Sequence, residues 1–548
     1  MLNINERFVK EEYDEKGILK KFRIVAPENA NFGYDCIDAI AAEEPDRRAM
    51  VWCNSHGEEH IFTFGDISRY SNKTANALMN AGIRKGDRVL VVLKRHYQFW
   101  FTIIALHKIG AVIIPATHLL KKKDYVYRFN NAHCKGIVCT YEDGVADNAQ
   151  QAINECPFVT VKMVTHGHKD GWLNFDEEVE KADEHLDRMP TLAKEPIIAY
   201  FSSGTTGYPK LVTHNHLYGF AHILTAKHWQ NVKPDGLHLT LADTGWGKAV
   251  WGKLYGQWFM EAGIFVCDFD KFVPAELLPL FAKYNITTFC APPTMFRFFI
   301  KEDLSKFDLS SLTYATIAGE ALNPEVFKQF YEATGIKLME GFGQTETTLT
   351  VVNVVGMEPK PGSMGKPSPQ YDVDIVDENG NSVDTGAIGE VVVRAERDNP
   401  PAGLFMSYNE DEEMTNAAWH DGLYHTGDTA WRDEDGYFWY VGRTDDIIKS
   451  SGYRIGPFEI ESVLMEHPAV LECAITGVPH PIRGQVVKAS IVLAKGYVPS
   501  EELKVELQNH VKRLTAPYKY PRVIEFMDEL PKTISGKIRR VDLRKEDK

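Results

Sequence analysis

Short apolar runs alternate with longer amphipathic stretches from about residue 60 to about residue 350. Near-continuous apolar runs of this length are typical of strands buried on both faces of a parallel sheet, and the stretches between them are long enough for crossover helices. The pattern predicts an α/β fold with two layered subdomains. The predicted strands are Arg88–Leu93, Ala111–Ile114, Gly136–Thr140, Ile197–Phe201, Ile264–Phe269, Thr287–Ala291 and Tyr314–Ala318.

The pattern changes after Pro359. Val373–Val376 and Glu390–Arg394 read as strands, and the Asn379-Gly380 dipeptide between them is typical of a tight hairpin turn. We expect residues 359–440 to form a small β-barrel-like subdomain that completes the large N-terminal domain.

The last hundred residues have a third character, in which helical and strand patterns are mixed. A helix is predicted over Pro457–Met465 and a strand over Val486–Leu493. A second helix is indicated by apolar residues at helical spacing, namely Leu503, Leu507, Val511 and Leu514. We therefore expect a small mobile α+β domain over residues 445–548, after a larger domain over residues 1–444.

Composition and charge narrow the possible partners and compartment. The net charge of −15 argues against a general surface for nucleic acid or anionic membranes, and the eight cysteines include no CxxC pair, which favours reduced thiols. The first residues lack the apolar run of a signal peptide, and the longest apolar stretch, near Phe99–Ala116, is interrupted by His107 and Lys108. We predict a soluble cytoplasmic protein, monomeric or homo-oligomeric, without a membrane span.

The strongest chemical signal is the segment YFSSGTTGYPK, at Tyr200–Lys210. An apolar strand leads into a loop whose glycines let the backbone approach an anion, whose hydroxyls can donate to phosphate oxygens, and whose lysine adds positive charge. The segment is not the GxxxxGK[ST] nucleotide loop. The alternative is a polar turn between two strands.

Four further segments suit a nucleotide, although each taken alone also fits a surface turn, a charged hairpin or a basic tail. EGFGQTET, at Glu340–Thr347, offers a phenyl ring for a base and oxygen donors of the kind that Mg²⁺ prefers. YHTGD, at Tyr424–Asp428, is counted together with GRTDD, at Gly442–Asp446, as one two-part segment that supplies a carboxylate and a guanidinium for ribose hydroxyls. The other two are SSGYRIGP, at Ser450–Pro457, and PKTISGKIRR, at Pro531–Arg540.

Together and in this order, the five segments resemble the adenylate-forming superfamily, which includes acyl-CoA synthetases, luciferase-like enzymes and peptide-synthetase adenylation domains. Within it, LADTGWGKAVWGKLYGQW and the ending TAPYKYPR…PKTISGKIRR look most like the medium-chain acyl-CoA synthetases. The resemblance covers the chain from about residue 30. It implies that a carboxylic acid reacts with ATP to give acyl-AMP and pyrophosphate, and that the thiol of CoA then displaces AMP.

The resemblance also implies roles for individual residues. Lys537 is expected to enter the site for adenylation, Thr345 to touch the α-phosphate, and Glu346 to bind Mg²⁺. Asp445 is the expected hinge, and Gly452 is expected to line the channel for the pantetheine arm of CoA. The expected ATP- and AMP-binding residues are Ser202, Ser203, Gly204, Thr205, Thr206, Gly207, Lys210, Gly319, Glu320, Ala321, Glu340, Phe342, Asp428, Arg443 and Arg454.

The acyl pocket is expected to be lined by Trp246, Lys248, Trp251 and Gly343. Acetate-selecting relatives carry a tryptophan at the place of Gly343, so loss of the indole should admit larger acids. Lys248 interrupts an otherwise apolar lining and either points into the acyl tunnel or faces solvent or another subunit, because a buried lysine is costly unless paired. We expect short-to-medium acids, including branched or aryl ones.

Three other functions share some of these features. A peptide-synthetase adenylation domain would normally be followed by a GGxS carrier site, and none follows Arg540, so free CoA is the expected acceptor. A luciferase-like oxygenase shares all five segments, and no residue pattern favours it. A non-catalytic nucleotide-binding protein would be expected to lack Lys537 or Glu346, and both are present.

Overall fold

A computed structural model of the chain describes residues 1–202, 209–409, 411–451, 453–533 and 537–546. The strands of these ranges are β1 Val9–Tyr13, β2 Leu19–Ile24, β3 Arg48–Asn54, β4 Glu59–Thr63, β5 Arg88–Val92, β6 Val112–Pro115, β7 Gly136–Thr140, β8 Val161–Thr165, β9 Leu173–Asn174, β10 Pro196–Ser202, β11 Lys210–Asn215, β12 Leu237–Thr240, β13 Gly263–Asp268, β14 Thr288–Ala291, β15 Tyr314–Ile317, β16 Leu338–Gly343, β17 Leu349–Val352, β18 Lys366–Pro367, β19 Val373–Val376, β20 Gly389–Arg394, β21 Ser407–Tyr408, β22 Trp419–His420, β23 Leu423–Arg432, β24 Phe438–Arg443, β25 Ile448–Ser450, β26 Tyr453–Ile455, β27 Val470–His480, β28 Gly484–Leu493 and β29 Val523–Met527.

The α-helices of the same ranges are α1 Ala39–Glu43, α2 Phe64–Ala81, α3 Gln98–Ile109, α4 Lys122–Ala132, α5 Val145–Ile153, α6 Phe175–Lys181, α7 Leu217–Leu224, α8 Gly247–Gly252, α9 Tyr255–Phe259, α10 Pro274–Tyr284, α11 Pro293–Phe299, α12 Pro324–Thr334, α13 Glu412–Ala418, α14 Pro457–Met465, α15 Glu501–Leu514 and α16 Arg540–Glu546. Short 3₁₀ or π turns lie at Ile4–Phe8, Gly33–Asp38, Glu142–Gly144, Thr225–Trp229 and Leu304–Lys306.

Two large sheets account for most of the first 350 residues. One has the strand order β21-β11-β10-β6-β5-β7-β8-β9, and the other has the order β18-β17-β16-β15-β14-β12-β13-β3-β4. The inner strands of both sheets pair in parallel, and their apolar side chains are buried in the core. The α/β prediction is confirmed, and each of the seven predicted strands matches an observed one to within one residue at either end.

Helix α3 explains the longest apolar stretch of the sequence. Every residue from Gln98 to Ile109 is buried, so this helix is apolar on all sides because it lies inside the core. His107 donates to or accepts from the Tyr255 hydroxyl, 2.6 Å away, and the Lys108 ammonium is held by Asp38 at 2.6 Å. No helix of the described ranges has both the length and the apolar character that a membrane span requires.

Besides the antiparallel pair β1–β2 near the start of the chain, the described residues form two five-stranded sheets, one antiparallel and one mixed. Strands β19, β20, β23, β22 and β24 form one, where the sequence predicted the barrel-like subdomain, and β26, β25, β28, β27 and β29 form the other. Helix α14 has the predicted bounds. The predicted second helix is observed as α15, in which Leu503, Leu507 and Val511 are buried, whereas Leu514 at the end of the helix is 50% exposed.

Candidate active site

Asp428 and Arg443 face each other on the paired strands β23 and β24, where their Cα atoms are register partners. The Arg443 guanidinium lies 3.4 Å from a carboxylate oxygen of Asp428 and donates to the Thr426 carbonyl at 2.9 Å. Tyr440 donates its hydroxyl to the other Asp428 oxygen at 3.0 Å. Burial raises the pKa of Asp428, and Arg443 opposes that shift. The pair presents an oriented anion and cation side by side.

Gln344 connects this pair to the turn after β16. Its side-chain amide donates to the Thr426 carbonyl at 2.8 Å and to the carboxylate of Asp428. Its amide oxygen in turn accepts a hydrogen bond from the Tyr424 hydroxyl at 2.7 Å. Sequence reasoning assigned no role to Gln344 or Tyr424, because their partners lie about eighty residues away in the chain.

The same turn carries Thr345 and Glu346. His214 lies with its Nε2 2.7 Å from the Thr345 carbonyl oxygen, and burial lowers the pKa of this histidine to about 4, so a neutral imidazole donates this bond at neutral pH. The half-buried Glu346 accepts a hydrogen bond from the Tyr408 hydroxyl at 2.9 Å. The ammonium of Lys210 lies 4.8 Å from the centre of the Tyr408 ring. Tyr408 is therefore a neighbour of both Lys210, which is predicted to bind phosphate, and Glu346, which is predicted to bind Mg²⁺.

Glu340 on β16 is a buried carboxylate with an incomplete set of partners. One of its oxygens accepts from the Leu322 backbone amide at 3.3 Å, and the other has no hydrogen-bond partner within the described part of the chain. Burial raises its pKa well above the usual range. Two residues later, Phe342 is half-buried with its ring 6.1 Å from that of Tyr440, so β16 brings both predicted adenine contacts towards β24.

The segment after β15 runs beside these residues. Gly319 has a φ of 109°, a conformation that favours glycine, and Glu320 is exposed, with the Thr294 hydroxyl donating to its carboxylate at 3.1 Å. Ala321 is half-buried and precedes the Leu322 amide that binds Glu340. The predicted adenine-lining segment and Glu340 are therefore neighbours.

Lys248 points inward from helix α8. Its ammonium donates to the Ala318 carbonyl and lies 5.6 Å from the centre of the Trp251 ring. Burial lowers its pKa, and the nearby charge of Lys537 lowers it further. Lys248 is half-buried, and its place in the acyl tunnel stays a prediction. Trp246 directly precedes the first residue of α8 and is half-buried.

Gly343 lies at the end of β16 and is exposed, where the pairing with β17 shifts register. A Cβ at this position would lie 2.4 Å from the Thr348 carbonyl oxygen. A side chain here therefore requires the neighbouring backbone at Thr348 to move. The predicted place of Gly343 in the acyl pocket stays a prediction.

Three residues predicted to act from the C-terminal part of the chain, Lys537, Arg454 and Asp445, have different surroundings. Lys537 is exposed, and its positive charge acts to lower the pKa of both Lys248 and Asp428. Arg454 pairs instead with Glu378, and the structure does not bring its guanidinium to Asp428. Asp445 lies in the link between β24 and β25, with a carboxylate oxygen 3.6 Å from Nε of Arg443.

Part of the predicted site lies outside the described residues. Ser202 ends β10 and is described, as is Lys210 at the start of β11. The predicted residues outside the described ranges are Ser203, Gly204, Thr205, Thr206, Gly207 and Gly452.

Family models match both parts of the chain. The one described as AMP-binding enzyme matches residues 37–408, and the one described as AMP-binding enzyme C-terminal domain matches residues 459–537. This chain belongs to the AMP-binding enzyme family. Mouse acyl-coenzyme A synthetase ACSM4, mitochondrial, is 43% identical over 531 residues, which cover 95% of this chain and 91% of that one. Human acyl-coenzyme A synthetase ACSM5, mitochondrial, is 42% identical over 535 residues, covering 96% and 92%.

Solved structures of AMP-binding enzymes resemble the fold over nearly the whole length. The anthranilate CoA ligase AuaEII in complex with anthranoyl-AMP has a TM-score of 0.86 and 29% identity, covering 95% of this chain and 98% of that one. An acyl-CoA synthetase from Brucella canis has a TM-score of 0.72 and 30% identity, covering 94% of each chain. The resemblance to acyl-CoA synthetases read from the five motifs is thereby confirmed, and so is an AMP-forming acid–CoA ligase.

The predicted cytoplasmic location is wrong for this AMP-binding enzyme. The curated relatives that match over more than nine-tenths of the chain are named as mitochondrial. The prediction rested on reduced thiols and on the lack of an apolar signal segment. Neither observation bears on mitochondrial import, because transit peptides are amphipathic and rich in arginine and serine rather than apolar.

Proposed function

We propose that this AMP-binding enzyme is an ATP-dependent acyl-CoA synthetase that makes acyl-CoA, AMP and pyrophosphate from a carboxylic acid, ATP and CoA. The observation that carries the proposal is the convergence on Asp428. Arg443 pairs with its carboxylate, Gln344 ties it to the Thr345-Glu346 turn, and the charge of Lys537 acts on it. Residues from three distant motifs therefore surround one buried anion.

The nucleotide fits this arrangement from base to phosphate. Glu340, Phe342 and the backbone of residues 319–321 would contact adenine, and the orphan oxygen of Glu340 supports a ligand there. Asp428 would accept from the ribose hydroxyls while Arg443 donates to the same sugar. The loop of residues 202–210 would bind the phosphates, with Thr345 on the α-phosphate.

The donors present at Glu346 fit a magnesium ion. Mg²⁺ takes oxygen ligands and commonly joins one or two carboxylates to substrate phosphates. Glu346 offers a half-buried carboxylate oriented by the Tyr408 hydroxyl, and Lys210 lies beyond that ring, on the predicted phosphate side. When bound, Mg²⁺ would neutralise charge on the pyrophosphate oxygens.

Two half-reactions follow from these groups. In the first, a carboxylate oxygen attacks the α-phosphorus of ATP and pyrophosphate leaves; Lys537 would offset the negative charge that builds up on the phosphate. In the second, the thiolate of CoA attacks the acyl carbon and AMP leaves with the bonding electrons. A hinge at Asp445, between domains of residues 1–444 and 445–548, would exchange Lys537 for the pantetheine channel at Gly452.

The acid would be short to medium in length, including branched or aryl acids. Support comes from the inward ammonium of Lys248, which sits against the Ala318 carbonyl and Trp251. A cation at the wall of an apolar pocket raises the cost of passing a long alkyl chain, because the chain must either desolvate the ammonium or avoid it.

Arg454, now paired with Glu378, would reach the phosphate side only after the C-terminal domain moves.

The proposal is tested by measuring pyrophosphate release with a panel of acids from acetate to dodecanoate, with branched and aryl members, while acyl-CoA is identified by mass. We expect continuous turnover to require CoA, and acids of short-to-medium length to give the highest kcat/KM. Turnover without CoA would point to another acceptor. A maximum at dodecanoate would contradict the proposed acid class.

A further inference from the structure

Two histidines and a glutamate meet at the carboxyl ends of three neighbouring parallel strands, away from the nucleotide residues. His96 follows β5, Glu142 follows β7 and His166 follows β8. Loops at the carboxyl ends of parallel strands are where α/β proteins commonly bind ligands. None of the three residues belongs to a motif with a proposed role in acyl-CoA synthesis.

The three side chains offer ligand atoms at the spacing of a single coordination sphere. Nε2 of His96 lies 3.6 Å from one oxygen of Glu142, Nδ1 of His166 lies 3.5 Å from the other, and all three ligand atoms lie within 4.8 Å of one another. Ligands at about 2.1 Å from a tetrahedral zinc ion are about 3.4 Å apart. The imidazole rings of His96 and His166 are stacked, with centroids 3.8 Å apart and 13° between their planes.

A neighbouring carboxylate orients the His96 imidazole as a metal ligand. Asp268, at the end of β13 in the other large sheet, lies 2.7 Å from Nδ1 of His96. A carboxylate there holds the proton on Nδ1 and leaves the Nε2 lone pair facing Glu142, which is the carboxylate–histidine arrangement found behind metal-bound imidazoles. The Thr140 hydroxyl, 3.1 Å from Nε2, can donate to that lone pair when no ion is bound.

One cation already belongs to this cluster. The buried ammonium of Lys94 lies 2.8 Å from Glu142, 3.0 Å from Asp143 and 3.7 Å from Asp270. The two aspartates can hold the ammonium without Glu142. Lys94 is therefore a competitor for a metal ion at Glu142, and its removal should strengthen metal binding.

We propose that His96, Glu142 and His166 form a binding site for a divalent transition metal, with Zn²⁺ as the ion that suits two imidazoles and a carboxylate. The ion would join the loops after β5, β7 and β8 and, through His96 and Asp268, tie the eight-stranded sheet to the nine-stranded one. The site is separate from the magnesium proposed at Glu346, which uses oxygen donors and substrate phosphate.

The test is calorimetric titration of Zn²⁺ alone into the full chain after chelator treatment and without nucleotide. We expect one ion per chain, bound with micromolar or tighter affinity. Glu142→Gln and His166→Asn should each weaken binding at least about 10-fold, and Asp268→Asn by about 10–100-fold. Asparagine is chosen at His166 because the residue has a φ of 57°, which asparagine tolerates.

Two further variants separate this site from surface binding and from misfolding. His168→Asn changes an exposed histidine two residues from His166 and should leave the affinity unchanged. Lys94→Met should tighten binding, a gain that a misfolded chain would not give. The proposal is overturned if the parent binds no Zn²⁺, if Glu142→Gln and His166→Asn bind as tightly as the parent, or if Lys94→Met weakens binding.

Discussion

Glu340 shows how one buried carboxyl group makes stability depend on pH. Its pKa is raised well above the usual range by burial, so between the ordinary and the raised pKa the folded chain binds one proton more than the unfolded chain. The free energy of unfolding must then fall as pH rises through this window. Glu340→Gln removes the titration and should make the fall shallower by up to about 1.4 kcal/mol per pH unit. Urea unfolding of both chains from about pH 5 to about pH 8 measures this slope, and parallel curves would contradict the prediction.

Lys248, which is half-buried, and Lys253, which is buried, have similar partners. Lys253 donates to the Ala242 carbonyl and lies 5.8 Å from the Trp100 ring, much as Lys248 does with Ala318 and Trp251. Lys248→Met should raise the ratio of kcat/KM for octanoate to that for butyrate by about 10-fold, since each methylene admitted to an apolar pocket is commonly worth that much or more.

The control for this prediction is Lys253→Met, which removes a buried ammonium of similar surroundings from the same segment. We expect it to leave the octanoate-to-butyrate ratio at the parent value, whatever it does to stability. Equal ratios in the Lys248→Met chain and the parent would show that the acyl chain does not pass the ammonium.

At the scale of elements, the antiparallel pair β16 and β17 sets the shape of the site. The register shift at Gly343 leaves no room for a side chain, because a Cβ would meet the Thr348 carbonyl oxygen at 2.4 Å. Gly343→Ala should therefore lower the free energy of unfolding by about 1–3 kcal/mol, the usual cost of overpacking, and lower kcat because Gln344 and Thr345 follow directly.

Gly247→Ala is the matched control for Gly343→Ala. A Cβ at Gly247 would meet only the Tyr200 ring at 3.8 Å, an ordinary contact. Urea unfolding and pyrophosphate release should both stay near the parent values. A Gly343→Ala chain as stable as the Gly247→Ala chain would mean that the backbone at Thr348 adjusts freely and would contradict the prediction.

At the scale of the whole molecule, we expect one arrangement of the two domains for adenylation and another for thioester formation. Replacement of Lys537 tests the arrangement for adenylation. Lys537→Ala should abolish acyl-AMP formation from acid and ATP while sparing thioester formation from preformed acyl-AMP. The reason is that its charge acts on the pKa of Asp428 and Lys248 in the present arrangement, near the residues proposed to bind the nucleotide and the acid. Each half-reaction is assayed alone, and equal loss of both would refute the division of labour.

Replacement of Asp445, the proposed hinge, tests the arrangement for thioester formation. Asp445→Pro restricts the backbone between β24 and β25 and should slow thioester formation about 10-fold or more while acid-dependent pyrophosphate exchange continues. Asp445→Ala, which keeps backbone freedom, is the control. Normal thioester formation in the proline variant would place the hinge elsewhere in the link.

Local sequence pattern was sufficient to predict most of the strands and helices named in the sequence analysis and to identify the family. Apolar runs such as Gly136–Thr140 must be buried on both faces, and helix α14 begins at Pro457, where proline suits the first turn. The five motifs likewise identified an AMP-binding enzyme, because close approach to phosphate and ribose restricts which residues can stand next to one another in the chain.

Contacts between distant segments were decided only by the tertiary structure. The direction of Lys248 depends on the position of the Ala318 carbonyl, directly after β15, and the link from Gln344 to Asp428 depends on how the turn after β16 lies beside β23. His96, Glu142 and His166 look unrelated in the sequence and meet only because β5, β7 and β8 are neighbours. The sequence determined which residues must be buried and which segments must meet a nucleotide, since both follow from local residue chemistry. Partners across the sheets follow from strand order and register, which no local pattern encodes.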